Sequence, residues 1–217
     1  MELDAQIGQL DAALLTQVQA SFPSKLSDTD RVLVNSYLVL GHATLEEYLE
    51  LSFERHFRRM CGWLIADLVP MECVRFSYAI SDLLAEEKMA YTRRHTAQLI
   101  RNRGLIAFQS KLRQNHGLKS HNVQSLAQTV GLHWPDFEQH LNVQLGDLDT
   151  LGAKRGSAGH LSPFTENVTE ITASDGPDDV RNWVQGGCAA VKSIDAYLRD
   201  LVDRGSPQTL IGDWDGN

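Results

Sequence analysis

Cysteine is scarce in this chain. The three residues Cys61, Cys73 and Cys188 lie far apart and form no C-x-x-C pair. An odd, scattered set excludes a disulfide frame and fits reduced thiols in a cytoplasm. Long apolar runs are also missing, and none approaches the roughly 20 residues of a membrane span. The first 20 residues carry no basic segment ahead of an apolar stretch, so no signal peptide is expected. No segment alternates apolar and polar residues with a period of two, which leaves no strands for a sheet. Internal repeats, a glycine-rich phosphate loop, H-E-x-x-H, zinc-ligand spacings and a nucleophile elbow are all absent. His116 and His121, like His133 and His140, stand away from Cys or carboxylate partners. Neither a metal nor another cofactor is therefore expected, and a metal-dependent nuclease lacks its carboxylate cluster.

One absence is local. Between Lys88 and Pro135 there is no Asp or Glu, although the chain holds 28 of them and has a net charge of −8. The same window holds eight of the 20 basic residues: Lys88, Arg93, Arg94, Arg101, Arg103, Lys111, Arg113 and Lys119. The overall charge argues against indiscriminate nucleic-acid binding. The window argues for a polyanion track, with Arg93, Arg94, Arg101, Arg103, Lys111 and Arg113 as RNA-binding candidates. His95, His116, His121, Asn102 and Asn115 would add phosphate or base contacts. A solvated basic helix paired with the acidic remainder explains the window equally well.

What is present is helical periodicity. Ile7, Leu10, Leu14, Leu15 and Val18 predict a helix over 2–20, ended by Phe22 and Pro23. Ser27 or Asp28 can cap a second helix reaching about Arg59, with Val34, Tyr37, Leu38, Leu45, Tyr48, Leu49 and Phe53 as its stripe. Gly41 on that stripe implies a close helix crossing. An apolar piece, 60–69, stops at Pro70. Residues 72–108 read as helical, with breaks expected at Gly104 and Gly117. A short helix over 122–130 is closed by Gly131. Asp136 can cap a helix that runs through Leu151 into Arg155 and cannot pass Pro163. Residues 164–175 read as loop. Gly176 or Asp175, Pro177 at the first helical position and Asp178–Asp179 mark a last amphipathic helix to about 204. The expected fold is all-α: an up-and-down bundle with a four-helix core plus additional helices. Residues 1–27 form an N-terminal extension, 28–205 the helical domain with its basic middle segment 88–135, and 206–217 a loose tail.

The stretch with chemistry in it is Leu151-Gly-Ala-Lys-Arg-Gly-Ser-Ala-Gly-His-Leu-Ser-Pro163. An Arg can hold a phosphate in a fixed fork of donors, and a His can move protons near neutral pH. Arg155 and His160 would diverge by roughly 140° on a continuous helix. A shared site therefore needs the helix to end or break between them, which Gly156 and Gly159 allow. By itself the pair also fits a helix end with a basic residue on its last carbonyls.

The order of parts decides the reading. An A-T-L-E-E-Y-L run (43–49) lies on a long helix; a later helix ends in R-G-x-x-x-H (155–160); a loop and an amphipathic C-terminal helix follow. Over roughly residues 28–204 this resembles the HEPN superfamily, particularly its RiboL-PSP-HEPN branch, with its "E-x-x-L" and Arg-x4-His patterns. The resemblance implies a four-helix core, a homodimer and a metal-independent endoribonuclease. Its catalytic Arg and His fall on Arg155 and His160. Its helical Glu falls on Glu46 or Glu47, with Glu46 preferred and Glu47 accessory. Many members place a polar residue directly after the Arg; Gly156 stands there, with Ser157 as the nearest substitute. The resemblance also implies a toxin or antiviral-defence effector, RNA as partner and a cognate antitoxin or inhibitor protein. The alternative is a non-catalytic helical dimer that binds a protein or a nucleotide.

Overall fold

The computed structural model describes residues 3–18, 26–65, 73, 75, 76, 93–160 and 176–203; at 64, 65, 93–97, 157, 159, 160, 202 and 203 the description is of the backbone alone. The expected features at 66–70, in the 164–175 loop and in the 206–217 tail lie outside the described residues. The described chain is helical, with no strand: α1 (Leu3–Leu14, followed by a short 3₁₀ turn, Leu15–Gln17), α2 (Asp28–Ile65), α3 (Arg93–Gln114), α4 (Ser120–Thr129), α5 (Trp134–His160) and α6 (Pro177–Asp203). The all-α bundle expected from periodicity is what the chain forms.

Local chemistry sets several ends. Ser27 caps α2: its hydroxyl accepts from the Asp30 N–H (3.1 Å), and the Asp30 carboxylate accepts from the Ser27 N–H (3.3 Å) and hydroxyl (2.7 Å). This reciprocal pairing satisfies two donors that a helix start leaves orphaned. Gly131 closes α4 in the left-handed region at φ 79°. Its N–H donates to the Gln128 carbonyl (3.0 Å) and the Leu132 N–H to the Ala127 carbonyl (3.0 Å), the pattern of a Schellman end. Gly176 caps α6: its N–H donates to Asp179 (3.1 Å) and its carbonyl accepts from Val180 (3.1 Å).

Three expectations are corrected. Asp136 does not cap α5. The helix begins at Trp134, with the Phe137 N–H donating to the His133 carbonyl (3.1 Å). Pro135 then falls in the first turn, where no donor is needed. Gly104 does not break α3, and α2 runs beyond Arg59 to Ile65. A helical glycine costs only about 1 kcal/mol against alanine, so packing overrides it.

The chain divides into two compact units. The first holds residues 1–49, 117–120 and 142–194. Within it α1 runs against α6, with Asp4 on Lys192 (2.8 Å) and Asp11 on Arg181 (3.1 Å). α2 runs along α6: a Cβ on Gly41 would lie 2.9 Å from Val184, and one on Gly187 would meet Leu45 (2.9 Å) and Leu151 (2.6 Å). The close crossing expected at Gly41 is therefore present. α5 runs against α6, with the Lys154 ammonium over the Trp183 ring (4.2 Å). The four segments thus alternate direction in chain order. Their buried side chains are mostly aliphatic, among them Val34, Leu38, Leu45, Leu148, Leu151, Val184 and Val191.

The second unit holds 50–116, 121–141 and 195–217. Its core is aromatic. Phe57 stacks on Phe108 (centroids 5.1 Å apart, planes at 11°) and meets Phe76 edge-on (5.4 Å). Phe137 contacts Phe53 (6.3 Å), Trp134 (5.5 Å) and Tyr197 (5.4 Å). Such pairs add about 0.5–1.5 kcal/mol each beyond area burial. α5 is kinked at Leu141 (φ −127°, ψ 19°), the last residue it contributes to this unit.

Candidate functional site

Arg155 is exposed near the end of α5, and the helix continues without interruption to His160. The break expected between them does not occur. At roughly 100° per residue, positions 155 and 160 lie about 140° apart around the helix. The side chains of His160 and Ser157 lie outside the described residues.

Packing accounts for one glycine of the stretch. Gly152 is buried, and a Cβ on it would fall 2.7 Å from the stem of Lys119. Gly156 is different: a Cβ there meets nothing within 4 Å. Packing among the described residues does not require glycine beside Arg155.

Across from α5 in the same unit lies the α2 segment with the expected carboxylates. Glu47 is exposed. Glu46 is part-buried, and its Oε2 lies 3.6 Å from Nδ1 of His42, one turn earlier. That separation is longer than a hydrogen bond. His42 is buried, and its pKa is pushed down to about 4, by desolvation first and then by the positive charge of Arg155. The ring is therefore neutral at pH 7, and its contact with Glu46 is polar rather than ionic. Glu46 thus faces a buried His. Arg155, His42 and Glu46 are thus brought into one neighbourhood of the first unit. His42 was not anticipated, although its place four residues before Glu46 on the α2 stripe was a usable signal.

The basic segment is less ordered than a track. Arg101, Lys111 and Arg113 are exposed, Arg103 is part-buried and engaged, and the side chains of Arg93, Arg94 and His95 lie outside the described residues. Taking Arg101 as zero, Arg113, Arg103 and Lys111 project at about 120°, 200° and 280° around α3. They surround the helix and do not line one stripe. Asn115 is withdrawn as a base contact: it is buried, and its amide donates to Glu50 (2.8 Å). His116 and His121 are exposed.

Sequence reasoning missed a second charged cluster, in the other unit. Asp195 is buried on the apolar stripe of α6, between Val191 and Leu198. Its carboxylate accepts from Arg199 and lies 3.8 Å from Arg55 of α2. A carboxylate on an apolar stripe, with an Arg four residues later, was the available signal. Among the described residues no three His, Cys, Asp or Glu side chains gather in a way that could hold a metal ion. No described helix is long and apolar enough to cross a membrane.

Fold and site together define an all-α protein with an Arg/His/Glu neighbourhood on two of its helices. Beyond that class, no protein-family model, no curated protein and no solved structure matches the chain.

Proposed function

We propose that the protein is a metal-independent endoribonuclease of HEPN type that works as a homodimer. The observation that carries the reading is that the charge of Arg155 acts on His42, which lies 3.6 Å from Glu46, because this links two candidates that lie 109 positions apart in the sequence. Positions 155 and 160 lie about 140° apart around one helix. α5 ends from two copies meeting across a two-fold axis, as an isologous interface allows, would bring an Arg and a His to the same phosphate. Gly156, which packing leaves unexplained, lets a partner's backbone or a phosphate come close. In the reaction the ribose 2′-OH attacks the adjacent phosphate. One His160 takes the proton and its mate supplies one to the leaving oxygen, while Arg155 stabilises the charge of the phosphorane. In the cell the enzyme acts in the cytoplasm as a toxin or antiviral-defence effector held by a cognate inhibitor protein.

The test is cleavage of RNA by purified protein, with and without EDTA. The expected result is chelator-independent cleavage with 2′,3′-cyclic phosphate ends. His160→Ala and Arg155→Ala each lower the rate by about 10²–10⁴-fold in proteins whose circular dichroism is unchanged. A folded His160→Ala protein that cuts at the wild-type rate removes His160 from the mechanism. The uninterrupted helix favours one rival, a non-catalytic helical dimer that binds a protein or nucleotide, with Arg155 and His160 at an ordinary helix end. Under that rival no cleavage is seen and neither substitution matters.

A further inference from the structure

The geometry points to a phosphate-binding site in the second unit, built by α2 and α6 around the buried imidazole of His56 and three guanidinium groups. Ser52, Arg55, His56 and Arg59 occupy positions i, i+3, i+4 and i+7 of α2, and so share one face of it. Asp195 and Arg199 face them from α6. Together with Leu198 these residues line a small cleft open to solvent.

Two independent features mark this cavity as a ligand site. The first is charge. Three guanidiniums face one carboxylate, Asp195, and no other acidic residue lines the cavity. Arg199 and Arg55 hold Asp195, whereas Arg59 makes no ion pair among the described residues. The lining therefore carries two more positive charges than negative ones. The second is an unmet donor. His56 is almost wholly buried, and neither of its ring nitrogens makes a hydrogen bond of good geometry, the Leu198 backbone being the polar group beside the ring. Burial pushes its pKa down to about 4 and holds the ring neutral; the Leu198 backbone opposes that shift and the charge of Arg59 adds to it. A neutral imidazole still offers one N–H, and buried polar groups are normally satisfied.

The complement is an oxyanion with more than two acceptor oxygens. A planar carboxylate presents two, and Asp195 already fills that role. A tetrahedral phosphate presents three, enough for the Arg59 fork, the His56 N–H and the outward donors of Arg199. The phosphate can be inorganic or the terminal group of a mononucleotide. The site shares no residue with the Arg155 neighbourhood, and the inference stands or falls apart from RNA cleavage.

The experiment is titration of the full chain with inorganic phosphate, 5′-AMP and acetate at fixed ionic strength, read by calorimetry and by the rise in melting temperature that bound ligand produces. Phosphate is expected to bind and to raise the melting temperature, with acetate inert. Arg59→Ala, at an exposed position, should lower the affinity by roughly tenfold or more, as loss of a charge-assisted hydrogen bond does. His56→Leu, close in volume, should fold and lose affinity similarly. Equal affinity for phosphate and AMP assigns the site to free phosphate; tighter AMP assigns it to a nucleotide. The inference is overturned if neither phosphate nor AMP binds, if acetate does as well, or if both variants bind as the wild type does.

Discussion

Alanine should act in opposite directions on two glycines that both sit inside helices. At Gly104 a Cβ would lie 2.1 Å from Cζ of Phe76, whose buried ring is wedged edge-on against Phe57. Overpacking of that kind costs about 1–3 kcal/mol, more than the roughly 1 kcal/mol that alanine gains in a helix. Gly104→Ala should lower the urea midpoint, with a net loss on the order of 1 kcal/mol. At Gly156 nothing among the described residues opposes the new methyl. Gly156→Ala should therefore stabilise the isolated chain by about 0.5–1 kcal/mol. If the α5 ends of two copies approach through this residue, the same variant also loses dimer and RNA cleavage. A Gly156→Ala protein that dimerises and cuts like the wild type would show that the position is merely a weak point of the helix.

At the scale of the element, α3 is the test of the basic window. Its described cations surround the helix, so each would touch a different part of a bound polyanion. Arg101→Glu combined with Arg113→Glu should weaken RNA binding and flatten its dependence on salt, because fewer counterions are released. An unchanged slope of affinity against salt would reduce α3 to a solvated helix. Elements were legible in the sequence wherever neighbours along the chain decide them. Ser27, Gly131, Gly176 and the crossing at Gly41 all follow from residues within a few positions. Continuity through Gly104 and Gly156 was not legible, since a glycine's preference is small beside the packing of the helix around it. The site was legible in the same unequal way. Arg155 and Glu46 could be named; His42 carried only the signal of its place on the α2 stripe, and its burial depends on what packs against α2. The Asp195–Arg55–Arg199 cluster needs the register of α2 against α6, which local pattern does not carry.

The molecule as a whole should lose stability in mild acid, and the cause lies in two histidines, one in each unit. His42 and His56 both have pKa values pushed down to about 4, in each case chiefly by desolvation. In the unfolded chain both return to about 6.5. Above that value both states hold the neutral ring, and pH has no leverage through these groups. Below it the unfolded state binds protons that the folded state refuses, so the balance shifts toward unfolding. The loss begins near pH 6.5, grows as pH falls and levels off once the folded-state pKa near 4 is passed. With each pKa unit equivalent to about 1.4 kcal/mol, two such groups together cost a few kcal/mol, a large share of a marginal stability. The carboxylates act in a lower window: the pKa of Asp4 is depressed by its hydrogen bond to Lys192, so its contribution is lost only as pH falls below the ordinary carboxylate range. The histidine slope can therefore be read between pH 6.5 and 4.5 from urea midpoints at constant ionic strength. His56→Leu isolates one half of it. The variant should be as stable as the wild type at pH 7 or more so, since it replaces a buried ring with two unpaired nitrogens by an apolar group of similar volume. Its slope in acid should fall by about half, the remainder belonging to His42. An acid slope unchanged in His56→Leu would mean that this ring already carries its proton in the folded protein, and the burial argument for both histidines would fail with it.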